Sequence, residues 1–296
     1  MARSCFDITE CDDGSIFIKR CIDCMNIDQV IVDYIDSESS EDHVAVLLSA
    51  GTDSITCALA AHRLGKKVTG YSMYLDGKQT TDSLGAAEIA KHFGWDFVAI
   101  DVPVDNIEED FFKLLNDYDC KKKTQLECTF PFLYVYPQIK EKEVLSGVGA
   151  DSWYGLSKRA LVNPQYGVRK SKAIFDRFRN DYFSQPNPGG LLQQYQLAEE
   201  NGIKFIAPYF NQDRVGKWMM QYDWHFFNKP YEKAPIHDAF HEIKQIKRRK
   251  HENLQLVAGI PDHFEKLLDN REINVYNRDR IMDLVRDWHD VGPTLF

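Results

Sequence analysis

An apolar run stops abruptly against a turn of small residues near the start of this chain. Val44 to Leu48 is apolar throughout; Ser49-Ala50-Gly51-Thr52-Asp53-Ser54 follows at once. An amphipathic helical pattern then begins, carries Leu59 and Leu64, and stops at Gly65. A short apolar run bounded by turn signals reads as a buried strand, and the spacing after it as a helix start. Such a junction gathers backbone N–H groups and the positive end of a helix dipole at one point, which suits a phosphate. Small residues let a polyanion approach the backbone closely. Ser49, Thr52 and Ser54 can donate hydroxyl hydrogen bonds to it. Asp53 would repel phosphate unless a cation lies between them, so its presence implies Mg2+. The P-loop pattern G-x-x-x-x-G-K-[ST] does not occur in the sequence.

Beyond this junction the pattern alternates. Strands are expected at Val68 to Leu75, Phe97 to Val102 and Glu143 to Ser146. Helices are expected at Thr81 to Phe93, closed by Gly94, at Asn106 to Asp117 and at Thr129 to Lys140. Alternation at these lengths predicts an α/β fold with a parallel sheet covered by helices on both faces. Ligands in such sheets sit beyond the carboxyl ends of the strands. After about residue 155 the pattern is largely helical, clearest at Leu191 to Asn201, Arg214 to Trp224, Ala239 to His251 and Arg278 to Asp290. Residues 1–41 read as a short beginning: a hairpin turn at Asp12-Asp13-Gly14, a strand from Ser15 to Arg20, a helix from Ile27 to Ile35, and a polar loop from Asp36 to Asp42. Residues 42–296 are then the main domain.

Bulk properties exclude several classes. No apolar stretch approaches the ~20 residues that cross a bilayer, and the N-terminus MARSCFDITECDD has no apolar signal core. The net charge of −9 speaks against a general nucleic-acid surface, while local cations can still bind ATP in a cleft. Seven cysteines, an odd number, fit a reducing cytoplasm better than a disulfide framework. Cys21-Ile22-Asp23-Cys24, with Cys5 or Cys11, has an irregular zinc-like spacing; ordinary reduced thiols are the simpler reading.

A second turn, Ser146-Gly147-Val148-Gly149-Ala150-Asp151-Ser152, follows the Glu143 to Ser146 strand. Asp53 and Asp151 at neighbouring strand ends could hold Mg2+ against phosphates, since Mg2+ commonly takes one or two carboxylates together with substrate phosphates. The first loop resembles the Ser-Gly-Gly-X-Asp-Ser motif of the PP-loop ATP pyrophosphatases, with Ala50 for the first Gly. SGVGADS resembles the second motif of the asparagine synthetase and β-lactam synthetase family. DSLGAAEIAKHFG (Asp82 to Gly94), FIAPYFN (Phe205 to Asn211), KAPIHDAF (Lys233 to Phe240, with His237 in place of an Arg) and Arg248-Arg249-Lys250 resemble further family segments in the same order.

The resemblance implies a PP-loop fold, of the adenine nucleotide alpha hydrolase-like kind, over about residues 42 to 270. It implies an AMP-forming ligase that adenylates a small-molecule carboxylate with ATP and passes it to an amine or ammonia. On that resemblance Asp53 and Asp151 ligate Mg2+. Ser49, Gly51, Thr52, Asp53 and Ser54 hold the pyrophosphate portion. Leu48, Met73, Ser146 and Gly147 line the adenosine site. Lys250 stabilises charge during reaction, and Lys233 contacts pyrophosphate. Three departures stand out. Val148 and Ser152 replace family acids, Ala50 adds a methyl near the phosphates, and Ala2 with only about 40 preceding residues leaves no glutaminase domain. Glutamine-derived ammonia would then come from a separate glutaminase. Two other readings use the same residues: a catalytically lapsed nucleotide-binding protein, and a PP-loop enzyme that modifies a nucleobase or tRNA. Intact Asp53, Asp151 and Lys250 oppose the first, and the acidic charge opposes the second.

Overall fold

The computed structural model describes residues 6–10, 16–20, 26–120, 123–156, 168–246 and 260. Strands β1 (Phe6–Glu10) and β2 (Ile16–Arg20) pair antiparallel as their own hairpin. Helix α1 (Ile27–Glu38), β3 (His43–Leu47), α2 (Thr52–Arg63), β4 (Lys67–Leu75), α3 (Thr81–Phe93), β5 (Asp96–Val102), α4 (Ile107–Asn116), α5 (Lys123–Thr129) and α6 (Phe132–Val135) follow. Next come β6 (Glu143–Leu145), α7 (Ala150–Tyr154), α8 (Val168–Phe183), α9 (Leu191–Glu200), β7 (Lys204–Ile206), α10 (Lys217–Met219), α11 (Trp224–Asn228) and α12 (Ala234–Ala239). The main sheet has five parallel strands in the order β5-β4-β3-β6-β7.

Alternation along β3 assigns its two faces, because successive side chains of a strand point oppositely. Val44, Val46 and Leu48 join α1, α2 and α3 in one apolar cluster. Ala45, with Tyr71, Met73 and Leu75 of β4, joins α4, α5, α6 and α9 in the other. The sheet is thus covered on both faces, as parallel sheets require. Helix α1 buries Ile27, Val30, Ile31 and Ile35 in the first cluster, so it shares the core of the main domain. It also runs to Glu38, into the polar stretch expected as loop.

The chain builds β3, β4 and β5 outward in one direction, then returns to place β6 on the other side of β3. That reversal opens a crevice at the carboxyl ends of β3 and β6, the place where open α/β sheets bind ligands. Glu143, 3% exposed at the start of β6, steadies this junction from below. Its carboxylate accepts from the Ser39 and Ser40 hydroxyls and from the backbone N–H groups of Ser40 and Glu41. Those bonds fix the connection between α1 and β3.

Several expectations are corrected. The helix expected over Thr129 to Lys140 is broken into α5, α6 and a 3-10 turn, Tyr136–Gln138. Pro131 and Pro137 lack the N–H that a continuous helix needs. The segment Arg214 to Trp224 is divided: a π turn, Gln212–Gly216, then α10, Lys217–Met219, then the first residue of α11. Asp223 caps α11 by accepting from Phe226 N, which starts a new helix there. Ala239 to His251 likewise splits: α12 ends at Ala239 and a 3-10 turn occupies His241–Gln245. The Asp12-Asp13-Gly14 turn, the early cysteines, the Arg278 to Asp290 helix and Lys250 lie outside the described residues.

Candidate functional site

The first turn is wired to itself. Ser54 Oγ receives the Ser49 N–H at 3.0 Å, lies 3.1 Å from Ser49 Oγ, and reaches the Ser49 and Gly51 carbonyls. Gly51 N donates to Ser49 Oγ at 3.1 Å. A loop held by its own hydroxyls presents fixed dipoles at the N-terminus of α2, so little reorganisation is needed when an anion arrives. Ala50 is fully buried in the apolar cluster behind this loop. Its methyl therefore faces the core.

The second turn is pressed directly onto the first. A Cβ at Gly147 would lie 2.5 Å from the backbone carbon of Asp53 and 2.7 Å from Ser54 N. Gly147 is thus needed for backbone-to-backbone contact between the turns. Gly149 has φ +91°, and a Cβ there would meet the Phe210 ring at 2.7 Å. Both glycines serve the packing of the crevice walls.

Lys233 joins the two turns. Its Nζ is 2.8 Å from each Asp53 carboxylate oxygen and 2.7 Å from Asp151 Oδ1. It lies over the Tyr154 ring at 5.0 Å from the centroid. Burial works to lower the Lys233 pKa, but the charges of Asp53 and Asp151 outweigh it and hold the pKa above its ordinary value. Lys233 is therefore an ammonium throughout the neutral range. Two carboxylates that converge on one nitrogen at these distances form a donor set for a single cation, and they fit Mg2+ sharing its shell with phosphates. Among the described residues, no group of three or more His, Cys, Asp or Glu side chains offers a fuller cage.

Lys233 immediately precedes α12 and delivers its side chain from a left-handed backbone, φ 58° and ψ 27°. One turn on, His237 Nε2 lies 3.2 Å from Thr52 Oγ1, the first residue of α2. This contact brings a second α12 side chain to the phosphate loop. The sequence marked His237 only as standing where the family has an Arg.

Beneath the site runs a buried chain of hydroxyls. Thr56 Oγ1 donates to Asp53 O at 2.8 Å and lies 2.7 Å from Tyr209 OH, which receives the Tyr154 hydroxyl at 3.2 Å. Trp153 Nε1 donates to Tyr209 O. Burial raises the pKa of both phenols well above the ordinary value, so both stay neutral. The chain links α2, α7 and the FIAPYFN segment. Its only sequence sign was the Tyr within that segment.

Of the four residues expected around adenosine, Leu48 and Ser146 stand at the ends of β3 and β6, each where one of the turns begins. Leu48 is 2% exposed, packs against Gly70, and belongs to the cluster on the α2 face. Met73 belongs to the cluster on the opposite face, where Leu47 and Val148 are partly buried neighbours. Ser146 is buried and accepts from Val148 N at 3.3 Å. The site thus brings together Ser49, Gly51, Thr52, Asp53, Ser54, Gly147, Asp151 and Lys233, while the side chains of Leu48 and Met73 point to different sides of the sheet.

The model of the family described as asparagine synthase matches residues 37–160, a stretch that spans β3 through α7 and contains both turns. Lys233 and His237 lie beyond the matched stretch. No curated protein matches the sequence. Among solved structures, the chain is similar to the U34-tRNA thiolase NcsA from Methanococcus maripaludis at 13% identity and TM-score 0.38, over 89% of this chain and 78% of that one. It is similar to the NH3-dependent NAD synthetase from Campylobacter jejuni at 13% identity and TM-score 0.35, over 90% and 93%. It is also similar to the NMN synthetase from Francisella tularensis at 14% identity and TM-score 0.33, over 77% and 97%. Likeness at this level carries nothing about substrate. Among the described residues, no helix is long and apolar enough to cross a membrane.

Proposed function

We propose that this chain is an ATP-dependent C–N ligase that forms AMP and pyrophosphate. It adenylates a small carboxylate and transfers the acyl group to an amine or to ammonia. The observation that carries this reading is the convergence of Asp53 and Asp151, one from each motif turn, on a single cation at the switch point of the sheet. The asparagine synthase match over the same two turns supports it.

In this reading Asp53 and Asp151 would hold Mg2+, which neutralises phosphate charge and stabilises the pyrophosphate leaving group. The loop from Ser49 to Ser54 receives the β- and γ-phosphates through N–H and hydroxyl donors. Lys233 supplies a positive charge on the same side, and His237 orients the Thr52 hydroxyl. The acceptor carboxylate attacks the α-phosphorus; the bond to the bridging oxygen breaks, and pyrophosphate leaves with that electron pair. The amine then attacks the acyl carbon and AMP departs. Lys250, carried by resemblance alone, would stabilise charge in these steps. The carboxylate, the amine, the separate glutaminase and the cytoplasmic location are proposals of the same standing.

The test is nucleotide chromatography and pyrophosphate release, screened across amino acids and amines. AMP and pyrophosphate in equal amounts are expected. ADP as the sole nucleotide product would remove this reading.

A further inference from the structure

Lys233 holds both aspartates at once, at 2.7–2.8 Å. A divalent metal shared by the same carboxylates would sit about 2.1 Å from their oxygens. Ammonium and metal would then stand a few ångströms apart as like charges inside a half-buried crevice, where repulsion is far stronger than in water. The two cations cannot share the position. The lysine is built to vacate it. Its charge rides on a long flexible stem, and its backbone is held left-handed at φ 58°, a conformation that strains a non-glycine residue. The preceding Tyr231 and Glu232 are exposed, so the segment entering α12 has solvent on its outer side. The ion pairs offset the backbone strain only while the ammonium stays between the carboxylates.

We propose that Lys233 is a built-in substitute cation. In the nucleotide-free protein it occupies the divalent-metal position between Asp53 and Asp151, so metal alone binds poorly. Metal enters together with the nucleotide, whose phosphates take over the displaced ammonium. The inference rests on the reading of this crevice as a metal–nucleotide site. It explains how two carboxylates can face one point beside a phosphate loop without leaving uncompensated charge in the nucleotide-free protein.

The probe is Mn2+ without nucleotide, with the free ion followed by electron paramagnetic resonance. Lys233→Met and Lys233→Gln should each bind Mn2+ at least tenfold more tightly than wild type. Adding Asp151→Asn should abolish that gain. Circular dichroism checks folding, and Lys233→Gln keeps a polar head should Lys233→Met fail to fold. A measurement on wild type alone needs no variant. Millimolar Mn2+ should raise acetylation of Lys233 by an amine-reactive reagent at least tenfold, read by peptide mass spectrometry. Equal Mn2+ affinity in wild type and a folded variant overturns the proposal. So does unchanged Lys233 labelling when Mn2+ is bound. Pyrophosphate release by wild type reports the ligase reading separately. Its absence with the Mn2+ gain intact removes that reading and leaves the exchange standing; its presence without the gain does the reverse.

Discussion

An aspartate beside a phosphate loop is unfavourable unless a cation accompanies it, and the chain supplies two such aspartates with one lysine between them. The three contacts are unequal. Asp53 takes two of them and its side chain is 18% exposed, whereas Asp151 takes one and is 54% exposed. Removing one partner of a buried pair costs most where the remaining charge is least hydrated. Asp53→Asn and Asp151→Asn should each lower pyrophosphate formation a hundredfold or more, the usual scale for losing a group that stabilises charge in the transition state. Urea unfolding should separate them, with Asp53→Asn clearly the less stable variant. Near-normal pyrophosphate formation by either would remove the metal role. Because the Lys233 pKa is raised, the stabilisation from its pairing is fully present below the ordinary lysine value of ~10.4 and is lost only as pH rises through the folded value. Neutral-range pH profiles should therefore show no step from this residue.

Where local chemistry decided an element, the sequence was sufficient. Helix α3 has the expected bounds because Thr80 caps Ser83 N in a capping box and Gly94 ends it left-handed. Both turns and both aspartates were legible because strand, small-residue turn and helix start follow one another directly. Helix α8 was not foreseen: its buried stripe includes Arg179, a charge at a core position, which breaks the apolar period. Its two Nη nitrogens bond Asp176, one turn back on the same helix, and the Met219 and Tyr222 carbonyls, which only the fold brings near. Strand β7 is three residues long and stops before Pro208, too short to show a period. The contact between Thr52 and His237 depends on where α12 docks, which no local pattern encodes. Glu143 belongs to the same class. Burial works to raise its pKa, but the bonds from Ser39, Ser40 and Glu41 outweigh burial and leave it lowered. A lowered carboxylate contributes stability above its unfolded pKa of ~4.3 and loses it as pH falls through the folded value. Glu143→Gln should therefore cost about 1–3 kcal/mol at pH 7, and the deficit should shrink below pH ~4. Denaturant titrations at the two pH values test this; an equal deficit at both would show that charge is not what holds the α1–β3 connection.

Helix α2 is gripped at both ends by one strap, Lys233 to Glu242. Its first residue, Thr52, meets His237 of α12. Its last, Arg63, bonds Glu242 through Nε at 2.8 Å and Nη2 at 2.7 Å, Asp28 of α1 at 2.7 Å, and the Ala239 carbonyl at 3.0 Å. The guanidinium also lies over Phe240, 4.7 Å from the ring centroid. One side chain thus ties α1 and α2 to the strap that positions Lys233 and His237. Arg63→Met keeps much of the stem and removes the guanidinium, leaving Asp28 and Glu242 about one-fifth exposed without their counter-charge. Charge-assisted hydrogen bonds of this kind are worth about 1.5–3 kcal/mol each. Partial exposure and overlap between them bring the expected loss of unfolding free energy to about 2–3 kcal/mol. The loosened strap should also weaken Mg-ATP binding several-fold in calorimetry, although Arg63 sits at the far end of α2 from the crevice. Lys67→Met is the control. Lys67 pairs with Asp96, both are about 60% exposed, and such surface pairs contribute under ~1 kcal/mol. If Arg63→Met unfolds and binds nucleotide like Lys67→Met, the strap is not held by this cluster, and the approach of α12 to the phosphate loop must be set by the apolar packing of Ile236 and Phe240 alone.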